Sequence, residues 1–123
     1  MKTLNIRRLV LDVDKALSMP SLIDIAQAIQ NCKGVEACNI TVSDVDIETV
    51  GTNTTIEGSA IDYDQIVREI ENTGAAVHSL DQIVVGERVI ENTPRARYSI
   101  GPSANLGGFR GNKPVSLRSE PVS

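Results

Sequence analysis

Aromatic residues are almost absent from this chain of 123 residues, which has no Trp, one Phe and two Tyr. Apolar residues still make up 41% of the sequence, enough for the core of one folded domain. We therefore expect a core built from aliphatic side chains, chiefly those of Ile, Val, Leu and Ala.

Long apolar runs are missing as well. No stretch approaches the roughly 20 apolar residues that a membrane-spanning helix needs. Charged residues interrupt the N-terminal segment at Lys2, Arg7 and Arg8, so this segment does not resemble the apolar part of a signal peptide. These absences predict a cytoplasmic protein.

Cysteine is scarce, and the two that occur, Cys32 and Cys38, are six positions apart. This spacing matches neither a redox pair nor a zinc knuckle. Since one is expected at a helix end and the other in a strand, the sequence favours two buried free thiols in a reducing compartment.

Positive charge is rare in most of the chain, because residues 1–91 hold seven Lys or Arg against fifteen Asp or Glu. Residues 92–123 reverse this balance, with five Lys or Arg, one Glu and four of the five prolines. The acidic part lacks the cationic face that binding to nucleic acid phosphates requires. We predict a folded domain over residues 1–91 and a basic tail over residues 92–123 that is disordered or ordered by a partner. The alternative is a tail that only adds solubility.

The tail contains one candidate recognition segment. Leu106, Phe109 and Arg110 place apolar side chains beside a cation among several glycines. These glycines lack the preceding strand and following helix of a phosphate-binding loop. The segment instead suggests that the protein is a scaffold whose tail docks onto another macromolecule.

The sequence does contain a unit that occurs twice: a strand-like segment, an amphipathic helix, a glycine and a second strand-like segment. The first helix is expected over residues 20–32 before Gly34, and the second over residues 63–73 before Gly74. Two such halves predict an α+β, ferredoxin-like β-α-β-β-α-β sandwich. Its four-stranded antiparallel sheet carries two helices on one face, and the tail follows it.

Local signals predict the boundaries of these elements. The strands are expected over residues 9–13, 35–42, 54–59 and 76–85. We expect Pro20 at the first position of the first helix and a capping box formed by Asp62 and Gln65. Residues 51–53 are expected to form the turn before the third strand.

The predicted topology gathers acidic residues at one end of the sheet, where the first strand ends, the second strand ends and the fourth begins. The residues expected there are Asp12, Asp14, Asp44, Asp46, Glu48 and His78. Crowded carboxylates repel each other, so a basic partner or a divalent cation would stabilise them. Oxygen ligands suit calcium or magnesium, and a histidine among them favours manganese or zinc. Alternatively, the acids of the second strand form a solvated hairpin end that discourages edge pairing.

His78 is the only histidine. It is either a hydrogen-bonded structural residue or part of a site, and Asp12 is its nearest expected partner. No serine or cysteine has the sequence context of a catalytic nucleophile, so we expect no enzymatic activity.

The sheet face opposite the helices is expected to be apolar. Val10, Leu80 and Val84 are the side chains assigned to it. An uncovered apolar face in a small domain is commonly buried against a second subunit, so we expect a homo-oligomer.

Six short segments resemble, in order and spacing, a largely archaeal family known as domain of unknown function 211. They are Leu9-Val10-Leu11-Asp12-Val13, Gly34-Val35-Glu36, Asn39-Ile40-Thr41-Val42, Asp46-Ile47-Glu48-Thr49, Thr55-Ile56-Glu57-Gly58 and His78-Ser79-Leu80-Asp81-Gln82-Ile83-Val84. The resemblance spans about residues 7–91. It implies a ferredoxin-like fold, cyclic homo-oligomers and metal ions bound by some members, without an established activity.

Two features depart from the family pattern. Members of the family that this chain resembles carry a Lys-Pro-His stretch after the first strand. This chain has Asp14-Lys15-Ala16-Leu17 there. A metal site that uses that histidine is therefore not expected here. The basic tail lies beyond the usual end of the family. Together, the residues and the resemblance predict a non-enzymatic, regulatory homo-oligomeric module that binds a divalent cation or small ligand.

Overall fold

The computed structural model describes residues 4–92, which form a four-stranded antiparallel sheet and two helices in the order β-α-β-β-α-β. The elements are β1 (Ile6–Ala16), α1 (Leu22–Gln30), β2 (Val35–Val45), β3 (Thr49–Gly58), α2 (Tyr63–Asn72) and β4 (Ala76–Val85). The strand order is β2-β3-β1-β4. This confirms the predicted ferredoxin-like sandwich. Within the same residues, no helix is long and apolar enough to cross a membrane.

The core lies between the helices and the central strands. Leu9, Leu11 and Val13 alternate along β1 and are fully buried. Each helix contributes two buried isoleucines one turn apart, Ile25 and Ile29 in α1 and Ile66 and Ile70 in α2. The core is therefore aliphatic, as the scarcity of aromatic residues predicted.

Helix α1 begins two residues later than expected. Ser21 is the N-cap, and its hydroxyl accepts a hydrogen bond from the Asp24 amide at 3.0 Å while the Asp24 carboxylate accepts from the Ser21 amide at 3.0 Å. Pro20 precedes this capping box and is buried, so the prediction that it is the first helical residue was wrong. A serine with an acid three residues later was the stronger start signal.

Helix α2 begins at an acidic N-cap. The Asp62 carboxylate accepts from the Gln65 amide at 3.2 Å, which is half of the predicted capping box. The Gln65 side chain instead accepts a hydrogen bond from the Lys33 amide at 3.1 Å. That contact ties the start of α2 to the segment that follows α1.

The β2–β3 hairpin turns earlier than the sequence suggested. Its turn lies between Val45 and Thr49, where the Asp46 amide donates to the Thr49 carbonyl at 2.8 Å. Residues 51–53 were predicted to be the turn, but they lie inside β3 and pair with β1 and β2. The alternation of apolar and acidic residues from Val45 to Glu48 resembled a strand and concealed the turn.

The face of the sheet away from the helices, here called the open face, is largely polar. β3 alternates buried residues with polar ones and places Asn53, Thr55 and Glu57 on the open face. Leu80 pairs with the core residue Leu11, so the register puts it on the helix side of the sheet. The prediction was therefore wrong for Leu80 and for the apolar character of this face, whereas Val10 and Val84, which pair with Gln82 and Arg8, do lie on it. The assignment of Leu80 assumed strict alternation along β4, and an extra residue between Leu80 and Gln82 interrupts that alternation.

The segment that leads from β1 to α1 is fastened by a buried lysine. Lys15 is only 7% exposed, and its Nζ donates to the carbonyls of Ala16 at 2.6 Å and Leu17 at 3.1 Å. A buried ammonium is tolerated only when its hydrogen bonds are made. These two bonds thus hold the chain where β1 ends.

Candidate functional site

The open-face cluster consists of Asp12, Asp14 and His78, brought together by the pairing of β1 with β4. Asp14 pairs with Ala76 and Asp12 with Ser79, and His78 is an extra residue between these two pairs. A β-bulge of this kind redirects a side chain relative to its neighbours. The predicted meeting of the end of β1 with the start of β4 is therefore present in the fold.

His78 lies nearest to Asp14 rather than to Asp12. Its Nδ1 is 3.9 Å from Asp14 Oδ2, and the two side chains are 67% and 42% exposed. The pair is therefore solvated, and its acid is Asp14 rather than the expected Asp12. At this distance and exposure, protonation of the imidazole adds a weak ion pair.

The carboxylate of Asp12 lies in surroundings that disfavour its negative charge. Burial raises its pKa above the ordinary value, and the negative charges of Asp14 and Asp81 raise it further, while His78 lowers it. Asp81 accepts a hydrogen bond from the Ser79 hydroxyl at 2.8 Å. Asp81 is near His78 in the sequence but was not among the predicted site residues, because strict alternation puts the two on opposite faces of β4.

Gly51 creates an open space between two acids. It pairs with Asp14 on one side and with Asp44 on the other. A Cβ added at Gly51 would lie 3.4 Å from Asp14 Oδ1 and 3.6 Å from Asp44 Cβ. Gly51 thus places no side chain between Asp14 and Asp44, its partners on the two neighbouring strands. No sequence motif marked this role of Gly51.

The remaining predicted site residues lie apart from this space. Asp46 and Glu48 are in the hairpin turn, where Asp46 Oδ1 accepts from the Ile47 amide at 2.7 Å. Within residues 4–92, no three His, Cys, Asp or Glu side chains are placed so that they could hold a metal ion together. The candidate recognition residues Leu106, Phe109 and Arg110 lie outside the described residues.

A shallow polar depression crosses the open face between β2 and β3. It is lined by Ala37, Cys38, Asn39, Thr41, Asn53, Thr55 and Glu57. The Thr41 hydroxyl donates to Asn39 Oδ1 at 2.6 Å. Glu57 at its far end pairs with Arg8 Nε at 2.7 Å. Amides and hydroxyls line this surface, so it complements polar groups rather than apolar ones.

Comparison with known proteins identifies the family. The sequence model of domain of unknown function 211, described as "Uncharacterized ArCR", matches residues 7–98. An uncharacterized protein of Methanocaldococcus jannaschii is 39% identical over 95 residues, which covers 76% of this chain and 97% of the relative. The family match ends at residue 98, seven residues beyond the end of the resemblance predicted from the sequence. Residues 99–123 lie outside it. The chain therefore belongs to the family of domain of unknown function 211.

Proposed function

We propose that this protein is a non-enzymatic, cytoplasmic, homo-oligomeric module that binds a divalent cation or a small ligand at the open-face cluster, in a regulatory role. One observation carries the proposal: Asp12 and Asp14 lie beside His78, and Asp14 and Asp44 both pair with Gly51, which places no side chain between them. Residues far apart in the sequence thus contribute to one negatively charged surface.

A cation would relieve an electrostatic cost that the fold carries. The pKa of Asp12 is raised by burial and by neighbouring acids, so its ionised form is disfavoured where it lies. No three candidate side chains in residues 4–92 are in position to hold an ion together. The cation we propose therefore retains several waters, as magnesium commonly does, or takes further ligands from a second copy of the chain.

Two contacts support a binding role over a catalytic one. The Ser79 hydroxyl donates to Asp81 rather than to an imidazole. The His78 side chain is two-thirds exposed, and its charged neighbour is a carboxylate. A nucleophile activated by a base requires a direct hydrogen bond between the two.

Self-association is supported by an exposed apolar strip along β4. Leu80, Ile83 and Val85 are 40–45% exposed on this edge strand. Native mass spectrometry reports the number of subunits, and a Leu80→Asp variant is expected to lower it. A monomeric wild-type protein at micromolar concentration would exclude the oligomeric part of the proposal.

Calorimetric titration with calcium, magnesium, manganese and zinc tests the cation. We expect heat of binding and a raised melting temperature for at least one ion, with both effects reduced by Asp14→Asn. Asp64→Asn, which removes an exposed carboxylate of α2, is the matched control. If no ion produces heat or changes the melting temperature, the cation proposal fails.

A second candidate function is a scaffold whose basic tail docks onto another macromolecule. It is favoured by the five Lys or Arg against one Glu in residues 92–123. Comparing the partners captured by the full chain with those captured after deletion of residues 92–123 tests it. An unchanged set of partners would rule out this role for the tail.

A further inference from the structure

The β2 edge, meaning the outer side of β2 together with the turn at residues 46–48, has the features of a docking site for an extended peptide. β2 is the last strand of the sheet and pairs only with β3 among the described residues. Residues 37–42 pair with β3 without a bulge, which gives a regular stretch about as long as an average strand. Within residues 4–92, no strand lies on its outer side to bond the main-chain groups there.

Exposed apolar side chains follow this edge. Val42 is 43% exposed, Val45 63% and Ile47 85%. Val42 and Val45 pair with buried residues of β3, so the register puts both on the helix side of the sheet. An added strand with apolar residues at alternate positions would cover them.

The charges along the edge are of one sign. Its carboxylates are Glu36, Asp44, Asp46 and Glu48, and the chain has no Lys or Arg between residues 34 and 67. Within residues 4–92, no ion pair joins any of these four carboxylates to a cation. The edge thus has negative charge available to a partner.

The same charges argue against a second copy of this edge as the occupant. Antiparallel pairing of β2 with another β2 would bring carboxylates together, and directly opposed like charges are destabilising. The other free edge, β4, contains Asp81 and no Lys or Arg. No strand edge in the described residues therefore offers the complementary charge.

We propose that the β2 edge binds an extended segment of a partner protein in which Lys or Arg alternates with apolar residues. The segment adds to the sheet as a fifth strand, its apolar side chains cover Val42 and Val45, and its cations face Asp44, Asp46 and Glu48. Addition of a strand to an exposed sheet edge is a general mode of peptide recognition. This site shares Asp44 with the surface where we propose a cation, but its other residues lie outside the open-face cluster, and the inference does not depend on cation binding there.

The test uses the full chain in EDTA and a fluorescent peptide of alternating lysine and valine. We expect saturable binding that weakens as salt rises. The triple variant Asp44→Asn/Asp46→Asn/Glu48→Gln should bind about tenfold more weakly. The control Glu69→Gln/Glu71→Gln/Glu87→Gln changes the net charge equally away from the edge and should bind like the wild type.

Two N-methylated peptides separate strand addition from simple charge attraction. One is methylated at the amides of the valines and the other at those of the lysines. Only alternate amides of an added strand bond to its neighbour, so one peptide should lose binding and the other should keep it. Equal binding of both peptides, or equal weakening by the two triple variants, would overturn the proposal. It would also be overturned if the peptide failed to bind while the edge variant changed the number of subunits, since another copy would then occupy the edge.

Discussion

The backbones of Gly34 and Gly58 are in direct contact where the segment after α1 crosses the end of β3. A Cβ placed on Gly58 would overlap the Gly34 carbonyl oxygen and lie 2.9 Å from its carbon and 3.0 Å from the Glu36 amide nitrogen. Gly34 also has φ +85°, a conformation that other residues rarely adopt. A Cβ on Gly34 would in turn overlap the Ser59 carbonyl oxygen. Both glycines are therefore required by backbone contact at one crossing, and Gly34 is required by its positive φ as well.

Substitution of Gly58 should be much more costly than substitution of Gly51. Gly58→Ala forces backbone apart and should lower the free energy of unfolding by about 2–4 kcal/mol. Gly51→Ala meets only ordinary contacts and should raise it by about 0.5–1 kcal/mol, because alanine loses less backbone entropy on folding. Chemical denaturation of both variants measures the difference. Similar costs for the two would show that the crossing at Gly58 is not tight.

The same Gly51→Ala variant should bind cations less well, although it is more stable. The added methyl group occupies the space between Asp14 and Asp44. Titration calorimetry should therefore show weaker binding of whichever ion the wild type accepts. Unchanged affinity in a stabilised variant would exclude the space at Gly51 from the site.

Removal of the Asp12 charge should stabilise the protein at neutral pH. The pKa of Asp12 is higher in the folded state than in the unfolded state, so folding favours the protonated carboxyl. The protein therefore loses stability as the pH rises from the ordinary pKa of an aspartate to the raised pKa of Asp12. Asp12→Asn should then raise the free energy of unfolding at pH 7 by about 0.2–1 kcal/mol, which is the range of cross-strand charge interactions. The gain should disappear near pH 3, where the carboxyl of the wild type is protonated. Thermal melts at both pH values measure this, and an equal gain at both would contradict the electrostatic explanation.

The capping box of α1 makes a further prediction. Ser21→Ala removes the hydroxyl that accepts from the Asp24 amide and should cost about 1 kcal/mol. Ser18→Ala, at an exposed position in the preceding loop, should change stability by less than about 0.5 kcal/mol. Urea unfolding of the two variants distinguishes them. If they proved equal, the helix would not depend on this cap.

Both thiols should react slowly in the native protein. Cys32 and Cys38 are free, and burial raises the pKa of each; for Cys32 the charge of Glu69 raises it further. A raised pKa leaves less of the reactive thiolate at neutral pH. With a thiol-specific disulfide reagent, half-buried Cys38 should react before buried Cys32, and both should react promptly after unfolding. Single Cys→Ser variants show which thiol gives the faster and which the slower phase of the reaction. Rapid reaction of Cys32 in the native state would contradict its burial.

The fold could be predicted from sequence because its signals are periodic and occur twice. The helices show buried residues one turn apart, Gly34 and Gly74 have the positive φ expected after each helix, and β4 has the predicted bounds. The strand order then follows from the arrangement of the two halves. Family membership is independently shown by the match over residues 7–98.

The details of the site could not be predicted, because they depend on irregularities of register. Two extra residues in β4, His78 and Asp81, change which side chains lie on the open face, and nothing in the sequence around them announces this. Gly51 was interpreted as a turn residue because glycine favours turns, whereas here it makes room between two acids. The role of a residue such as Gly51 can be recognised only when the pairing of β1, β2 and β3 is known.

The enclosure of Lys15 makes it an internal reporter of opening at this end of the domain. Its amine is held by two carbonyls, so an acylating reagent should modify exposed Lys33 while leaving Lys15 intact as long as the native fold persists. The rate at which Lys15 becomes labelled would then measure how often the loop after β1 detaches, without any engineered probe.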